Sequence, residues 1–264
     1  MRFYIIWIAL LLPAFAQAES VLPPPNHGNL YVIAHRGAHI GIPENTLAAY
    51  QKAIDLGCDF VEIDVRTTKD GHYVSIHNKD VDAYTKDATG LVDDFTLAEL
   101  QALDIGSRVD PKWKNERVPT FEDILKLCQG KIGIYLDLKN APIPPLLELI
   151  HKYDMEKNIV WYSSWKELEK LQELCPTCIP MPDPGTIKML PKLFKRFEGV
   201  QVVSPVWRNF SKEIVDLSHN EKAMVFVDEG DSDPNEWALA LSWGTDGIQT
   251  DDPEALIKFL KEKK

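Results

Sequence analysis

Cysteine is scarce, four in 264 residues, which excludes a disulfide scaffold, because a chain this long can bury a core of its own. Basic charge is also short: 29 Lys and Arg stand against 40 Asp and Glu, a formal net charge of −11. No basic stripe exists to release counterions, so nucleic acid is not expected as a partner. Lys258, Lys261, Lys263 and Lys264 suit a solvated helix end, where cations meet the C-terminal dipole. Long apolar runs are missing as well. The one candidate, Phe3 to about Phe15, is shorter than the roughly 20 residues a membrane-spanning helix needs. It follows Arg2 and ends in Ala16-Gln17-Ala18, so residues 1–18 read as a secretory signal peptide cleaved after Ala18. No cysteine follows that could carry a lipid, and no stable membrane anchor is expected after cleavage. The expected location is periplasmic or secreted. Residues 19–29, with Pro23, Pro24 and Pro25, read as an extended lead-in.

What is present is a globular composition, 45% apolar and 26% charged, sufficient for one sizeable core. From Leu30 onward, short β-branched or aromatic runs alternate with longer amphipathic stretches, which implies parallel strands joined by helices. Strands are expected at Leu30 to Ala34, Asp59 to Val65, Lys131 to Leu138 and Asn158 to Tyr162, then at Cys178 to Met181, Val200 to Ser204, Ala223 to Val227 and Asp246 to Gln249. Eight such units fit a TIM (β/α)8 barrel over residues 30–264, a single domain without internal repeats beyond the βα unit. Leu47, Tyr50, Ala53 and Ile54 give the first helix an apolar face, with Asn45 or Thr46 as N-cap and Gly57 as its stop. Thr120 to Asp123 resembles a capping box with Asp in place of Glu. Cys58 and Cys128 read as small buried hydrophobes, while Cys175 and Cys178 could close in an oxidising compartment.

One further strand, Tyr73 to His77, must return antiparallel, because its link from Val65 is too short for a crossover. Asp70-Gly71 is a two-residue hairpin signal. A turn of that length without a bulge pairs Asp64 with His77. Residues from about Arg66 to Arg117 then form an insertion after the second barrel strand, containing the hairpin.

Glu62 and Asp64 lie two apart on that second strand and share a face, while Val61, Ile63 and Val65 share the other. The aliphatic face meets the helices, so the acids point into the barrel. Asp137 ends the third parallel strand, with Lys139 on the same face. Three carboxylates at strand C-termini form an all-oxygen site for Mg²⁺ or Ca²⁺. The alternative is a buried Asp–Lys ion pair beside two satisfied acids. His35, Arg36 and Gly37 follow the first strand, where barrel enzymes set catalytic groups, and the hairpin brings His77 to the same rim. Two imidazoles beside a metal and an arginine suit phosphoester cleavage: one takes a proton from the nucleophile and the other gives one to the leaving oxygen. Arg36 can hold phosphate oxygens through its planar fork. His39, His72 and His151 show no convergent partner and read as surface or loop residues. Trp161, Trp165, Trp207 and Trp243 are candidates for lining the pocket, with ordinary packing as the alternative.

Ala34-His35-Arg36-Gly37, Pro43-Glu44-Asn45-Thr46 and Val61-Glu62-Ile63-Asp64-Val65 resemble the signature of glycerophosphodiester phosphodiesterases. So do Thr68-Lys69-Asp70-Gly71, Ser75-Ile76-His77, Val118-Pro119-Thr120-Phe121 and Asp246-Gly247-Ile248-Gln249-Thr250-Asp251. The resemblance implies a TIM barrel with an insertion after the second strand, a divalent cation, two catalytic histidines, and release of glycerol 3-phosphate and an alcohol. By position, His35 and His77 become the acid–base pair and Glu62 and Asp64 metal ligands, with Arg36 on the phosphate and Lys139 offsetting its charge. The small-molecule partner is then a glycerophosphodiester. The chain departs from the pattern at His77-Asn78, where His-Asp is usual, and at Asp82-Ala83-Tyr84-Thr85, which lacks the usual Arg-Thr-Thr. Asp137 stands where Glu is normal, and Phe226-Val227-Asp228-Glu229 replaces a Trp-Thr-Val-Asn run. Two other readings stay open: a related phospholipase D acting on lysophospholipid or sphingomyelin, and a non-catalytic periplasmic phosphodiester-binding protein.

Overall fold

The computed structural model describes residues 22–230 and 232–263; the expected signal peptide lies outside them. Eight parallel strands run β1 (Tyr31–Ala34), β2 (Phe60–Thr67), β4 (Gly133–Leu138), β5 (Ile159–Tyr162), β6 (Ile179–Pro180), β7 (Val202–Val203), β8 (Met224–Asp228) and β9 (Gly247–Thr250). Their order in the sheet is β6-β5-β4-β2-β1-β9-β8-β7. Where β6 and β7 meet, the Ser204 N–H donates to the Pro182 carbonyl at 3.1 Å, so the barrel is nearly closed. The expected TIM barrel is the observed fold, and all eight strands fall inside the ranges read from the sequence or within a residue or two of them. Among the described residues no helix is long and apolar enough to cross a membrane.

Strand alternation sorts the side chains into two cores. Ile33, Phe60, Tyr135, Val160, Met181, Val202 and Phe226 fill the barrel, while Val32, Val61, Ile63, Leu136, Trp161 and Val227 pack under the helices. Each fully buried aliphatic or aromatic side chain here is worth roughly 1.5–3 kcal/mol over its exposed state. The rings of Phe60 and Phe226 sit 5.9 Å apart, and a Cβ at Gly133 or Gly247 would come within 2.5 Å of the one or 2.6 Å of the other. Glycine is therefore required at both positions. Leu22 joins this interior and the Tyr31 hydroxyl donates to the Pro23 carbonyl at 2.7 Å, so the lead-in covers the N-terminal floor of the barrel.

Helix α1 (Leu47–Leu56) begins at Thr46, whose hydroxyl accepts from the Ala49 N–H, and stops at Gly57 at φ +75°, as the sequence reads. Its buried face is Ala49, Tyr50 and Ala53, whereas Leu47 is exposed, so one of the four expected apolar positions faces solvent. At α3 (Phe121–Cys128) Thr120 accepts from the Asp123 N–H. The Asp123 carboxylate in turn accepts from the Thr120 hydroxyl at 2.6 Å; one methylene shorter than Glu, it closes on the side chain instead of the backbone. The helix Trp165–Leu174 is joined to the start of β6 by a Cys175–Cys178 disulfide, and Cys58 and Cys128 are buried thiols.

The insertion carries β3 (Tyr73–Ser75), antiparallel to β2, and α2 (Leu97–Ala102) around a small core of its own that includes Val74, Ile76, Val81, Tyr84, Val92 and Leu100. Here the expected register is corrected. Val65 pairs with Ser75, Arg66 with Val74 and Thr67 with Tyr73, and the Ile76 N–H donates to the Asp64 carbonyl at 3.0 Å, so Asp64 lies opposite Ile76 and not His77. The turn is the cause. A two-residue type I′ turn needs positive φ at both Asp70 and Gly71, but only Gly71 has it, at +83°. The Thr68 N–H bonds the His72 carbonyl at 2.8 Å and the Gly71 N–H bonds the Thr68 carbonyl at 3.0 Å, making a three-residue loop with glycine in the left-handed position.

Candidate active site

Asp64 and Asp137 are direct partners in the parallel β2–β4 ladder, so both carboxylates face inward at one height. Glu62 stands one step below. Oxygens of Glu62, Asp64 and Asp137 all lie within 4.8 Å of one another, and Glu62 and Asp64 are almost wholly buried. The shorter Asp137 therefore still converges with the other two acids. Lys139 sits among them, its Nζ 2.5 Å from Asp137 Oδ2 and 3.1 Å from Asp64 Oδ1. The ion pair weighed as an alternative is thus present, but it engages two of the three acids.

The charges answer this arrangement. Burial, reinforced by Asp64 and Asp137, holds the Glu62 carboxyl well above the usual range, and the Arg36 N–H, which donates to Glu62 Oε2 at 2.8 Å, only partly offsets that. Burial also drives Asp64 upward, but Lys139, His77, the Asn45 amide and Arg36 together bring it below its ordinary value. Burial raises Asp137, against the pull of Lys139. Lys139 is held above its ordinary value because Asp64 and Asp137 overcome its own desolvation. Three inward carboxylates with oxygen donors alone, crowded so closely that burial and mutual repulsion push Glu62 upward, fit a hard divalent cation.

His35 sits just past β1. Its Nδ1 bonds Asp251 Oδ1 at 2.6 Å and its Nε2 is 4.0 Å from Glu62; with Nδ1 occupied, Nε2 is the atom free to react. Burial raises the Asp251 carboxyl, but His35 with His39 and Arg36 together leave it below its ordinary value. His77 comes to the same rim from the loop after β3, near enough to Asp64 and Asp137 to influence both carboxyls, and its Nδ1 lies 2.9 Å from the Asn78 side-chain oxygen. The strand pairing expected to bring it there is absent. Arg36, at φ +53°, bonds Glu44 through Nη1 at 3.1 Å, while its buried Nε has no hydrogen-bond acceptor, Asp64 being 3.8 Å away. That leaves a donor aimed at the site and free for an anionic oxygen.

Three residues were missed. Asn45 is buried, also at φ +53°; its amide donates to Asp64 Oδ2 at 2.8 Å and its oxygen accepts from Tyr50 and Ser75 hydroxyls, each at 2.8 Å. Asn before a helix reads as a cap, and nothing local shows a partner 19 residues away. Asp251 was visible only as part of a motif. His39 does lie in a loop, but the expectation that it has no convergent partner is corrected: its Nδ1 is 2.9 Å from the His35 carbonyl and its Nε2 3.8 Å from Asp251. His72 and His151 are exposed as expected. Trp161 is wholly buried on the outward face, and Trp165, Trp207 and Trp243 pack against the same outer core, so packing accounts for all four.

The Glycerophosphoryl diester phosphodiesterase family matches residues 35–193, a span that starts at His35 and takes in both histidines, all three acids and Lys139. The chain belongs to that family. The glycerophosphodiester phosphodiesterase of Caldanaerobacter subterraneus subsp. tengcongensis is 31% identical over 247 residues, covering 88% of this chain and 98% of the other. YhdW of Bacillus subtilis is 34% identical over 240 residues, covering 87% and 97%. The crystal structure of an Agrobacterium tumefaciens glycerophosphodiester phosphodiesterase superposes with a TM-score of 0.75 at 26% identity, over 87% of this chain and 99% of that one. An Oleispira antarctica phosphodiesterase, solved with its product sn-glycerol-3-phosphate, shares the fold with a TM-score of 0.80 at 24% identity, over 88% and 96%. Within this glycerophosphoryl diester phosphodiesterase the barrel strands meet at the mouth: His35 follows β1, β2 brings Glu62 and Asp64, β4 brings Asp137, and the carboxylate that holds His35 follows β9.

Proposed function

We propose that this enzyme hydrolyses glycerophosphodiesters to glycerol 3-phosphate and an alcohol, with His35 and His77 as the acid–base pair. Family membership supports the reaction class. The single observation that carries the residue assignment is the meeting of two imidazoles, each with Nδ1 tied and Nε2 free, at three inward carboxylates. Glu62, Asp64 and Asp137 would hold a divalent cation, Mg²⁺ or Ca²⁺. When bound, such an ion offsets their charge and polarises phosphoryl oxygens.

The chain's own groups do the rest. The free Nε of Arg36 meets a phosphoryl oxygen, and Lys139, released from the acids as their charge is offset, meets another. One imidazole removes a proton from the attacking hydroxyl while the other protonates the departing alcohol. The substrate's own 2-hydroxyl is the attacking group, because proximity makes that step unimolecular. Water then opens the cyclic phosphate, with the histidines exchanging roles. Cleavage after Ala18 would place this activity in the periplasm or outside the cell.

The test is release of glycerol 3-phosphate from a panel of glycerophosphodiesters, with EDTA and after restoring Mg²⁺ or Ca²⁺. Turnover abolished by chelation and restored by the ion is expected. Full activity in excess EDTA, with no bound metal by elemental analysis, would reject the cation, and no turnover of any diester would reject the reaction.

A further inference from the structure

The hairpin ladder ends before it reaches His77, so something other than strand pairing fixes the imidazole over the acids. Strand β3 stops at Ser75. At the next pair the Ile76 N–H still reaches the Asp64 carbonyl, but the Asp64 N–H turns to the Ser75 hydroxyl at 3.2 Å. The carbonyls of Ile76 and His77 go to Arg66 instead. Its Nε donates to both at 3.1 Å, and its Nη2 donates to the His77 carbonyl at 2.6 Å. On the far side of the histidine, the Asn78 N–H donates to the Tyr84 hydroxyl at 3.0 Å. The peptide bonds flanking His77 are therefore gripped from two directions. Arg66 shares its strand face with Glu62 and Asp64, so one strand carries two site acids and the group that sets His77 against them.

We infer that Arg66 is a positioning residue for His77, holding its backbone by a guanidinium fork in place of the missing ladder bonds. The inference rests on the proposed two-histidine hydrolysis. A planar fork with donors in fixed directions can take two successive carbonyls; an ammonium on a flexible stem cannot hold both in one geometry. A misplacement of about 1 Å in a reacting group costs on the order of a hundredfold in rate.

A double-mutant cycle separates positioning from general stability. Arg66→Ala is expected to lower kcat by roughly 30- to 100-fold with KM changed by no more than about twofold. In a His77→Ala background, assayed on a p-nitrophenyl diester of glycerol phosphate so that residual turnover is measurable, the same change should cost less than about twofold, because the residue it serves is gone. Equal losses in both backgrounds would overturn the inference. Should Arg66→Ala not fold, Arg66→Lys and Arg66→Gln carry the same cycle, with the lysine recovering part of the rate. Amide hydrogen exchange supplies a readout free of activity: exchange at residues 76–78 should quicken in the Arg66 variants while residues 60–64 stay protected. Unchanged exchange at 76–78 would equally overturn it. A wild-type enzyme inactive on every diester would instead refute the hydrolysis reading, and the exchange result would still decide what Arg66 holds.

Discussion

His35 and Asp251 stand 216 residues apart in sequence, yet their Nδ1 and Oδ1 atoms lie 2.6 Å from each other, one at the end of β1 and the other just past β9. These strands are ladder neighbours, with Ala34 opposite Thr250, so the contact follows from barrel closure. In the proposed mechanism this carboxylate would fix the tautomer and steady the imidazolium formed when His35 takes a proton. Asp251→Asn should cost on the order of a hundredfold or more in kcat with the melting temperature little changed. His39→Ala should cost less than about tenfold, because its Nε2 is 3.8 Å from Asp251, beyond hydrogen-bond reach. Similar losses for the two variants would remove the distinction between them.

Glu62 sets a pH dependence of stability in the metal-free enzyme. Its carboxyl, raised by burial and by Asp64 and Asp137, keeps its proton in the folded chain at pH values where the unfolded chain has lost it. The folded state then binds more protons, so stability falls as pH rises from the ordinary value of 4.5 toward the raised one. Thermal melts in EDTA from about pH 5 to about pH 8 should decline, Glu62→Gln should flatten the decline, and Mg²⁺ or Ca²⁺ should raise the wild-type melting temperature at neutral pH. An identical pH dependence in wild type and variant would contradict this.

Asn45 supplies one donor and one acceptor to a closed buried network with Asp64, Tyr50 and Ser75. Asn45→Asp keeps the shape and the tolerance for positive φ but sets a second anion against Asp64. Denaturant unfolding at neutral pH should show a loss of about 2–3 kcal/mol. A change below about 0.5 kcal/mol would mean the network contributes little.

The proposed attack by the neighbouring hydroxyl makes a substrate analogue informative. A 2-deoxy glycerophosphodiester should bind but turn over at least roughly a hundredfold more slowly. Equal rates would point to direct attack by water and leave the histidines in place.

Strands and the inward acids were legible because period-2 alternation fixes which face a side chain takes, and Glu62, Asp64, Asp137 and Lys139 obey it without exception. The hairpin register was not, since Asp70-Gly71 is compatible with a two- or a three-residue loop, and only the folded backbone, with Gly71 in the left-handed region and Asp70 outside it, decides between them. His77 is not the strand partner of Asp64; it follows β3 in a loop whose backbone bonds Arg66 and Tyr84. Asn45 and His39 stayed hidden for another reason. Asn45 meets Asp64 only through tertiary closure, and although His39 bonds the nearby His35 carbonyl, a loop sequence does not show that its ring turns back toward β1 and Asp251.

The most direct measurement is glycerol 3-phosphate release by wild type, His35→Ala, His77→Ala and the double variant, compared under identical cation. Each single change should lower kcat by at least roughly a hundredfold, and the double variant should lose little more than the worse single one, because the pair acts as a unit. Retention of the wild-type rate by either single variant would contradict the assignment of His35 and His77 as one acid–base pair.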